Sequence, residues 1–312
     1  MKKALKILVT GVSGQVGYSL LDSLHPFGEI IPSDLDSGDK NHPILQLDLS
    51  QTHLIDETLR KIQPDIIVNP AAYTAVDKAE TNQDQANKIN RDAPKFLAEY
   101  CSRVGIPLIH YSTDYVFPGS GSTPWNENDQ PNPGNFYGAS KLGGETNIIN
   151  SGCTYFILRT SWVFSHIGHN FVKTMLRLGR DKKEIKVVDD QFGAPTSADF
   201  LAKNTALIIE KGLSEGFKKI SGTYHLCNSG VTTWCEFAKE IFHLAKKKGM
   251  ELSIENVLPI LSADYPTPAQ RPKNSRLNCD KFKMTFNTGS LQNWNEALDE
   301  VLEKLKEKNF MI

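Results

Sequence analysis

Apolar and polar residues alternate along the first 120 or so positions in a pattern that predicts strands and helices in turn. Residues 5–10 form a short apolar run that predicts a buried strand, and residues 15–24 then place apolar side chains at helical spacing. Further runs predict strands at 29–33, 44–47, 66–69 and 107–112, and helices over 51–62 and 82–103. Because such strands are joined by right-handed crossovers, we expect a parallel sheet covered on both faces.

The pattern changes in the second half of the chain. Pro and Gly cluster over 118–134, which predicts a long loop before a helix at 136–149 and a strand at 155–160. We then expect helices at 168–179, 197–211, 233–247 and 290–308, and a functional loop at 259–276. We therefore predict a dinucleotide-binding domain over 1–162, to which the chain returns near 195–228, and a smaller substrate-binding lobe over 163–312.

A glycine-rich turn lies between the first predicted strand and the first predicted helix. Gly11 allows the tight turn, Gly14 lets the backbone approach a pyrophosphate, and Gly17 lets the helix pack on the strand. The N–H groups at the start of the helix suit phosphate oxygens. Asp34 ends the second strand, where its carboxylate can accept hydrogen bonds from ribose hydroxyls, which favours NADH over NADPH. The fold class predicted is α/β, a Rossmann-type doubly wound parallel sheet with a smaller C-terminal substrate-binding lobe.

Two residues after the third predicted strand are candidates to contact the adenine. They are Asp48 and Leu49. Many folds of this class place backbone there in any case, so a role for Asp48 as a cap alone stays open.

A phenol and an ammonium lie four residues apart, at Tyr137 and Lys141. On a helix these two side chains share a face. A neighbouring ammonium and the positive charge of an oxidised nicotinamide both favour the phenolate, so we expect Lys141 and the cofactor to lower the pKa of Tyr137, which would act as an acid on a carbonyl oxygen. The Tyr-x-x-x-Lys spacing is common on helix surfaces, but Ser112 and Thr113 add hydroxyls at the end of a parallel strand, where ligands bind.

Together these segments resemble the extended short-chain dehydrogenase/reductase family, and within it the reductases of 4-keto dTDP-sugars. The resemblance covers essentially the whole chain. It is carried by residues 10–17, 68–80, 112–117, 137–141, 159–163, 190–196 and 271–277.

The resemblance implies a role for each matching residue. The catalytic group implied is Thr113, Tyr137 and Lys141, with Thr113 bound to the substrate carbonyl and Lys141 to the nicotinamide ribose. Implied cofactor contacts are Gly11, Gly14, Gln15, Val16, Gly17, Asp34, Asp48, Leu49, Ala71, Ala72, Tyr73, Tyr137 and Lys141. Implied substrate contacts are Thr113, Asp114, Trp162, Gln191, Pro195 and Arg271. A guanidinium suits a diphosphate, although Arg271 could also be an exposed loop residue, and Trp162 could be a core residue.

The reaction implied is hydride transfer from NADH or NADPH to C4 of dTDP-6-deoxy-L-lyxo-4-hexulose, giving dTDP-L-rhamnose. Related dehydratases follow Thr-Asp with a glutamate, but Tyr115 stands there in this chain, which argues against water elimination. Epimerases are disfavoured by the family-specific segments alone. A non-catalytic NADP-binding regulatory subunit, similar to the β subunit of methionine adenosyltransferase, remains an alternative.

Composition narrows the class of partner. Apolar residues make up 39% and charged residues 23% of the chain, with a net charge of -1, so we expect neither nucleic-acid nor membrane binding. The five cysteines have no metal or redox spacing, and we find no signal peptide, so we expect a cytoplasmic protein. Some members of the family that the chain resembles dimerise through a metal held by carboxylates, one of them early in the first helix. This chain has no acid there before Asp22, so no protein-bridged metal is predicted. Magnesium could still aid the diphosphate, and a homodimer stays open.

Overall fold

The computed structural model describes residues 4–38 and 43–307. The predicted helix end at 308 and the predicted outer domain limits at 1 and 312 lie outside these residues. In the first half, the strands are β1 (Leu5–Val9), β2 (Gly28–Asp34), β3 (Leu45–Gln46), β4 (Ile66–Asn69) and β5 (Leu108–Thr113). The helices are α1 (Gln15–Leu24), α2 (Thr52–Ile62), α3 (Val76–Ala79), α4 (Gln83–Asn87) and α5 (Ala93–Val104).

The second half of the chain has shorter strands. Its strands are β6 (Tyr155–Thr160), β7 (Val163–Phe164), β8 (Glu184–Val188), β9 (Phe192–Gly193), β10 (Thr196–Ser197), β11 (Gly222–His225), β12 (Thr232–Thr233) and β13 (Asn256–Ile260). Its helices are α6 (Phe136–Asn150), α7 (Phe171–Asp181), α8 (Ala198–Glu215), α9 (Trp234–Lys247), α10 (Asp280–Phe286) and α11 (Trp294–Glu307). The loop predicted to begin at 259 begins after β13.

The central sheet has seven strands in the order β11-β6-β5-β4-β1-β2-β3. Every neighbouring pair is parallel. The doubly wound α/β fold predicted from the sequence is therefore confirmed. The strand order reverses between β1 and β4, and in such sheets ligands bind in the crevice at that point, outside the carboxyl ends of the strands.

Alternating strand residues build a hydrophobic layer on each face of the sheet. Ile7 and Val9 belong to one cluster, with Leu20 of α1 and Leu201 of α8, whereas Leu8 belongs to the other, with α2 and α5. This period of two is what a strand buried on both faces requires. Because α8 packs on α1 and β11 pairs with β6, part of the second half completes the central sheet layer.

A separate cluster of apolar side chains lies among the later elements. It draws on α7, α9 and α11 and on the parallel pair β8–β13, and its buried members include Leu176, Ile185, Ile241 and Val301. The sequence did not reveal this strand pair, whose members lie about 70 residues apart in the chain.

The long helix predicted over 82–103 is interrupted. A π-helical turn, Lys88–Asp92, separates α4 from α5. Such turns often occur at functional sites. Here it carries Asn90, whose buried side chain donates to the Tyr73 carbonyl (3.1 Å) and accepts from the Tyr73 N–H (2.8 Å). The turn thereby fixes the loop that leaves β4.

Candidate active site

The glycine turn after β1 fits a bound phosphate group. Gly11 has a φ of 61°, and a Cβ on Gly17 would stand 2.1 Å from the Gly11 carbonyl oxygen, so α1 approaches the turn as only glycine permits. Gly14, by contrast, is exposed at the start of α1. Its open backbone leaves the N–H groups of the first helical turn free to meet an anion.

Asp34 lies beside this turn, as predicted. Its Oδ2 accepts from the Ser13 N–H at 2.8 Å, and its Oδ1 accepts from the Leu35 N–H at 2.7 Å. The carboxylate is therefore held next to the glycine turn at the end of β2. The arrangement fits the ribose end of a dinucleotide.

The two candidates for adenine contact have structural partners of their own. Asp48 accepts from the Ser50 N–H at 2.8 Å through Oδ1, a turn contact that precedes α2, and no side chain in the described part of the chain caps the start of that helix. The Leu49 side chain is buried in the cluster shared by α2 and α5. Any further contact with a cofactor by these residues remains a prediction.

The other turn and loop candidates line the mouth of the crevice. Gln15 and Val16 are half-buried in the first turn of α1, and the Gln15 side chain accepts from Asn170 at 3.0 Å. Ala71 stands against Gly11, and Ala72 and Tyr73 follow it. The structure thus gathers this group at the carboxyl ends of β1 and β4.

Two predicted reactive groups, Thr113 and Tyr137, meet where β5 ends and α6 begins. Thr113 is the last residue of β5 and donates from Oγ1 to Asp114 Oδ1 at 3.1 Å. Tyr137 lies in the first turn of α6 and is half-buried, and its ring contacts the Tyr115 ring edge-on at 5.5 Å. Ser112 turns the other way, toward Glu145 at 2.5 Å, so Thr113 is the hydroxyl that remains near Tyr137.

The expected lowering of the Tyr137 pKa by Lys141 is wrong for the protein without a bound cofactor. Burial raises the pKa of the Tyr137 phenol above its ordinary value, the charge of Asp114 adds to this, and the nearby Thr113 hydroxyl opposes it. The Lys141 ammonium is 2% exposed and donates instead to the Tyr111 carbonyl oxygen at 2.6 Å. Burial also lowers the pKa of Lys141 to about 8, although Glu145 acts against this. Tyr137 is therefore a protonated phenol at neutral pH.

Asp114 is a buried acid next to the reactive hydroxyls. Burial raises the pKa of its carboxyl to about 7, and the Ser275 hydroxyl offsets only a part of the rise. Tyr115, which replaces the dehydratase glutamate, is itself a weak acid because burial raises its pKa to about 12. The arrangement suits proton donation by a phenol better than an elimination that needs a second carboxylate.

A buried ion pair joins α6 to strand β6. Arg159 of β6 contacts both carboxylate oxygens of Glu145, with Nη2 to Oε2 at 2.6 Å and Nε to Oε1 at 3.0 Å. The guanidinium also lies over the Phe117 ring at 5.0 Å. Arg159 lies in the segment 159–163 that carries the family resemblance, but the sequence did not indicate Glu145 as its partner. No spacing rule links two residues on different elements.

On the side of the later elements, Trp162 is held in a strained backbone conformation. Its φ is 51°, which non-glycine residues rarely adopt, and its ring stacks on Trp234 at 3.8 Å. The segment 191–196 lies against it, with the Thr196 N–H donating to the Trp162 carbonyl at 3.2 Å. Gln191 and Pro195 are both buried in this segment, and Gln191 donates to Ser262 Oγ at 3.0 Å.

Arg271 is neither an exposed loop residue nor an unpaired cation. Its Nη2 contacts Asp77 Oδ2 at 2.6 Å, and its Nη1 donates to the Tyr115 hydroxyl at 3.4 Å. Asp77 lies in the segment 68–80 that carries the family resemblance, but the sequence did not indicate its pairing with Arg271. The contacts place Arg271 at the edge of the group formed by Tyr115, Tyr137 and Thr113.

Two further features concern metals and membranes. Asp189, Cys235 and Glu236 bring ligand atoms within 4.8 Å of one another, near the start of α9. Asp189 there accepts at 2.5 Å from the hydroxyl of Thr233, the residue whose side chain caps α9 by accepting from the Glu236 N–H. Across residues 4–38 and 43–307, none of the helices is long and apolar enough to cross a membrane.

Comparison with known proteins gives consistent matches along the chain. The model of a family described as the RmlD substrate binding domain matches residues 5–307. The dTDP-4-dehydrorhamnose reductase of Escherichia coli (strain K12) is 44% identical over 301 residues, covering 96% of this chain and 98% of that protein.

Solved structures agree with these sequence matches. A dTDP-4-dehydrorhamnose reductase from Clostridium acetobutylicum superposes with a TM-score of 0.85 at 36% identity, over 97% of this chain and 100% of that one. A Bacillus anthracis reductase of the same name, in complex with NADP, superposes with a TM-score of 0.84 at 35% identity, over 97% and 99% of the two chains.

Proposed function

Because the chain belongs to the RmlD substrate binding domain family, we propose that it reduces the C4 ketone of dTDP-6-deoxy-L-lyxo-4-hexulose to dTDP-L-rhamnose with NADH or NADPH. One observation carries the proposal. A half-buried phenol, Tyr137, lies next to the Thr113 hydroxyl, with the Lys141 ammonium one helical turn further along α6. This group lies at the carboxyl edge of the sheet that also carries the glycine turn.

The residues of this chain would supply the acid side of the reaction. The bound dinucleotide supplies the hydride that reduces C4. Thr113 donates a hydrogen bond to the C4 oxygen and polarises the carbonyl. Tyr137 then gives its hydroxyl proton to that oxygen, which becomes the new C4 hydroxyl and leaves a tyrosinate. The phenol, whose pKa burial raises above its ordinary value, carries this proton at neutral pH before the reaction.

Holding the dinucleotide falls to the carboxyl edge of β1, β2 and β4. We propose that Gly11, Gly14 and the first turn of α1 bind the pyrophosphate and that Asp34 meets the adenosine ribose. Lys141 would hold the nicotinamide ribose. The loop from Ala71 to Tyr73, fixed by Asn90, would border the nicotinamide.

The nucleotide sugar would lie between this edge and the later elements, the proposed lobe over 163–312. Arg271 would bind the diphosphate, and Asp114 and Trp162 the sugar. Gln191 and Pro195 would shape the nucleotide pocket. All five cysteines are free thiols, which supports a reducing, cytoplasmic setting.

An assay of cofactor oxidation tests this function. Purified protein should oxidise NADPH or NADH only when dTDP-6-deoxy-L-lyxo-4-hexulose is added, and NMR of the product should show dTDP-L-rhamnose. The matched control is the 4-keto sugar nucleotide before epimerisation, dTDP-4-dehydro-6-deoxy-D-glucose, which should react far more slowly. Cofactor binding without oxidation in the presence of either sugar would contradict the proposal.

A further inference from the structure

The ammonium of Lys141 has two of its three N–H donors directed by strand β5. One donates to the Tyr111 carbonyl oxygen at 2.6 Å, and another faces His110 Nε2 at 3.2 Å. An ammonium offers three donors and no acceptor, so these two contacts leave one N–H to be aimed elsewhere.

The second contact comes from an unusual strand residue. His110 is 0% exposed in the middle of β5, where an apolar residue would satisfy the packing of the sheet. Its Nδ1 lies 3.0 Å from Asn69 Nδ2, and Asn69 Oδ1 lies 2.6 Å from Thr10 Oγ1. Asn69 is 0% and Thr10 1% exposed. A buried polar chain therefore runs from the base of the glycine turn to Lys141.

The protons in this chain are fixed by the ammonium at its end. Lys141 can only donate, so His110 Nε2 must accept and the proton of the neutral imidazole must sit on Nδ1. Nδ1–H then needs an acceptor, which the Asn69 amide supplies when it is turned so that its oxygen, in place of Nδ2, faces the imidazole. Amide oxygen and nitrogen are assigned from such networks.

We propose that His110 is a positioning residue for Lys141: as a neutral imidazole it accepts from the ammonium, keeps that side chain charged, and directs its third N–H toward the bound nicotinamide ribose. This inference rests on the proposed function, in which Lys141 holds that ribose. The histidine acts only through Lys141.

The surroundings of both groups agree with this role. Burial and the Lys141 charge hold the pKa of His110 well below its usual range, so the imidazole is neutral. The titratable groups around Lys141 are the carboxylate of Glu145, one turn along α6 and paired with Arg159, and the neutral His110 on β5. Since burial lowers the pKa of Lys141, a neutral acceptor that stabilises the ammonium counts for more here than it would at the surface.

The experiment measures NADPH affinity in the absence of any sugar, as a function of pH, for wild type, His110→Leu and His110→Gln. A glutamine amide oxygen can accept from Lys141, whereas leucine cannot. His110→Leu should weaken NADPH binding about 10-fold at pH 7, because an interaction with a charged group is lost. Its affinity should also begin to fall at a lower pH than that of wild type, since the ammonium loses its acceptor. His110→Gln should recover most of both properties.

The matched control is His225→Leu, which removes another fully buried histidine from β11, a strand separated from β5 by β6 in the same sheet. It should lower the melting temperature without changing the NADPH affinity or its pH dependence. If His110→Leu is insoluble, His110→Met fills the volume without a comparable acceptor and gives the same comparison with His110→Gln.

Two results would overturn the inference. One is NADPH binding by the Leu or Met variant that matches wild type at every pH, and the other is an equal loss in His110→Gln and His110→Leu. Because no sugar is present in this experiment, its results are separate from a failure of the proposed reaction. In that failure, the wild-type protein would bind NADPH but would not oxidise it when any keto-sugar nucleotide is added.

Discussion

Arg271 and Asp77 form an ion pair, 2.6 Å between Nη2 and Oδ2, although 194 residues separate them in the chain. The other oxygen of Asp77 accepts from the Ala269 N–H at 3.2 Å, so one carboxylate fixes both the backbone and the guanidinium of this loop. The pair joins the loop after β13 to the segment after β4. It keeps a cation beside Tyr115 at the edge of the proposed substrate site.

If Arg271 binds the diphosphate, Arg271→Ala should raise the KM for the nucleotide sugar by about 10- to 100-fold, as expected for loss of a charge-assisted hydrogen bond. The affinity for NADPH should stay within about 2-fold. Steady-state kinetics and cofactor titration measure the two effects. Arg180→Ala, which removes an exposed arginine paired with Asp181, is the control. An unchanged KM for the sugar would exclude Arg271 from the diphosphate site.

Two glycines of the same turn should respond differently to alanine. In Gly17→Ala the new Cβ meets the Gly11 carbonyl oxygen at 2.1 Å, so α1 must shift, and both the melting temperature and NADPH affinity should fall. In Gly14→Ala the nearest atom is the same oxygen at 3.1 Å, so the fold should persist while cofactor binding weakens by about 10-fold, since the backbone is kept away from the pyrophosphate. Full affinity in a folded Gly14→Ala protein would argue against this phosphate site.

Asp34 should control the choice between the two nicotinamide cofactors. Its carboxylate beside Ser13 would repel a 2′-phosphate, so Asp34→Ala should raise the ratio of kcat/KM for NADPH to that for NADH by about 10-fold. Asp36→Ala, an exposed acid two residues on, should leave the ratio unchanged. The prediction fails if the two variants give the same ratio as wild type.

The buried carboxyl of Asp114 should make stability depend on pH. Its folded pKa of about 7 lies above the ordinary value of 3.8, so the folded state binds more protons and the free energy of unfolding falls as pH rises between these values. The Asp114→Asn variant has no carboxyl at this position, so its free energy of unfolding does not show this fall. Its stability relative to wild type should therefore grow from pH 4 to pH 8, by about 4 kcal/mol at most.

Urea unfolding at both pH values measures the Asp114 effect, with Asp84→Asn, an exposed acid, as the control. The same difference from wild type at pH 4 and pH 8 would mean that Asp114 ionises freely in the folded protein.

The parts of the site that follow from local sequence were predictable. The glycine turn, Asp34, and the spacing of Tyr137 and Lys141 each depend on one element and its neighbours, and strand ends in a parallel sheet meet at one edge. What escaped prediction depends on contacts between distant elements. His110 looks like one residue of an apolar strand, and Asn90 reaches the site only through a π-helical turn. The Glu145–Arg159 and Asp77–Arg271 pairs likewise require the folded arrangement.

The same dependence on distant contacts explains why the expected lowering of the Tyr137 pKa was wrong. Spacing places Lys141 on the face of α6 that carries the phenol, but it cannot show where the ammonium points. The structure directs that ammonium to Tyr111 and His110, and burial then dominates the pKa of Tyr137. The phenol is protonated at neutral pH with or without this shift, as a proton donor must be.

The rate of hydride transfer in a single turnover tests the role of Tyr137 most directly. With NADPH bound and dTDP-6-deoxy-L-lyxo-4-hexulose added, Tyr137→Phe should oxidise NADPH about 100- to 10,000-fold more slowly than wild type, because the proton donor is lost. Its affinity for NADPH should be little changed. The control is Tyr115→Phe, which removes the hydroxyl of the neighbouring tyrosine, whose ring centroid lies 5.5 Å from that of Tyr137. This variant should slow the step by less than about 10-fold. A Tyr137→Phe protein that reduces the sugar at the wild-type rate would contradict the account.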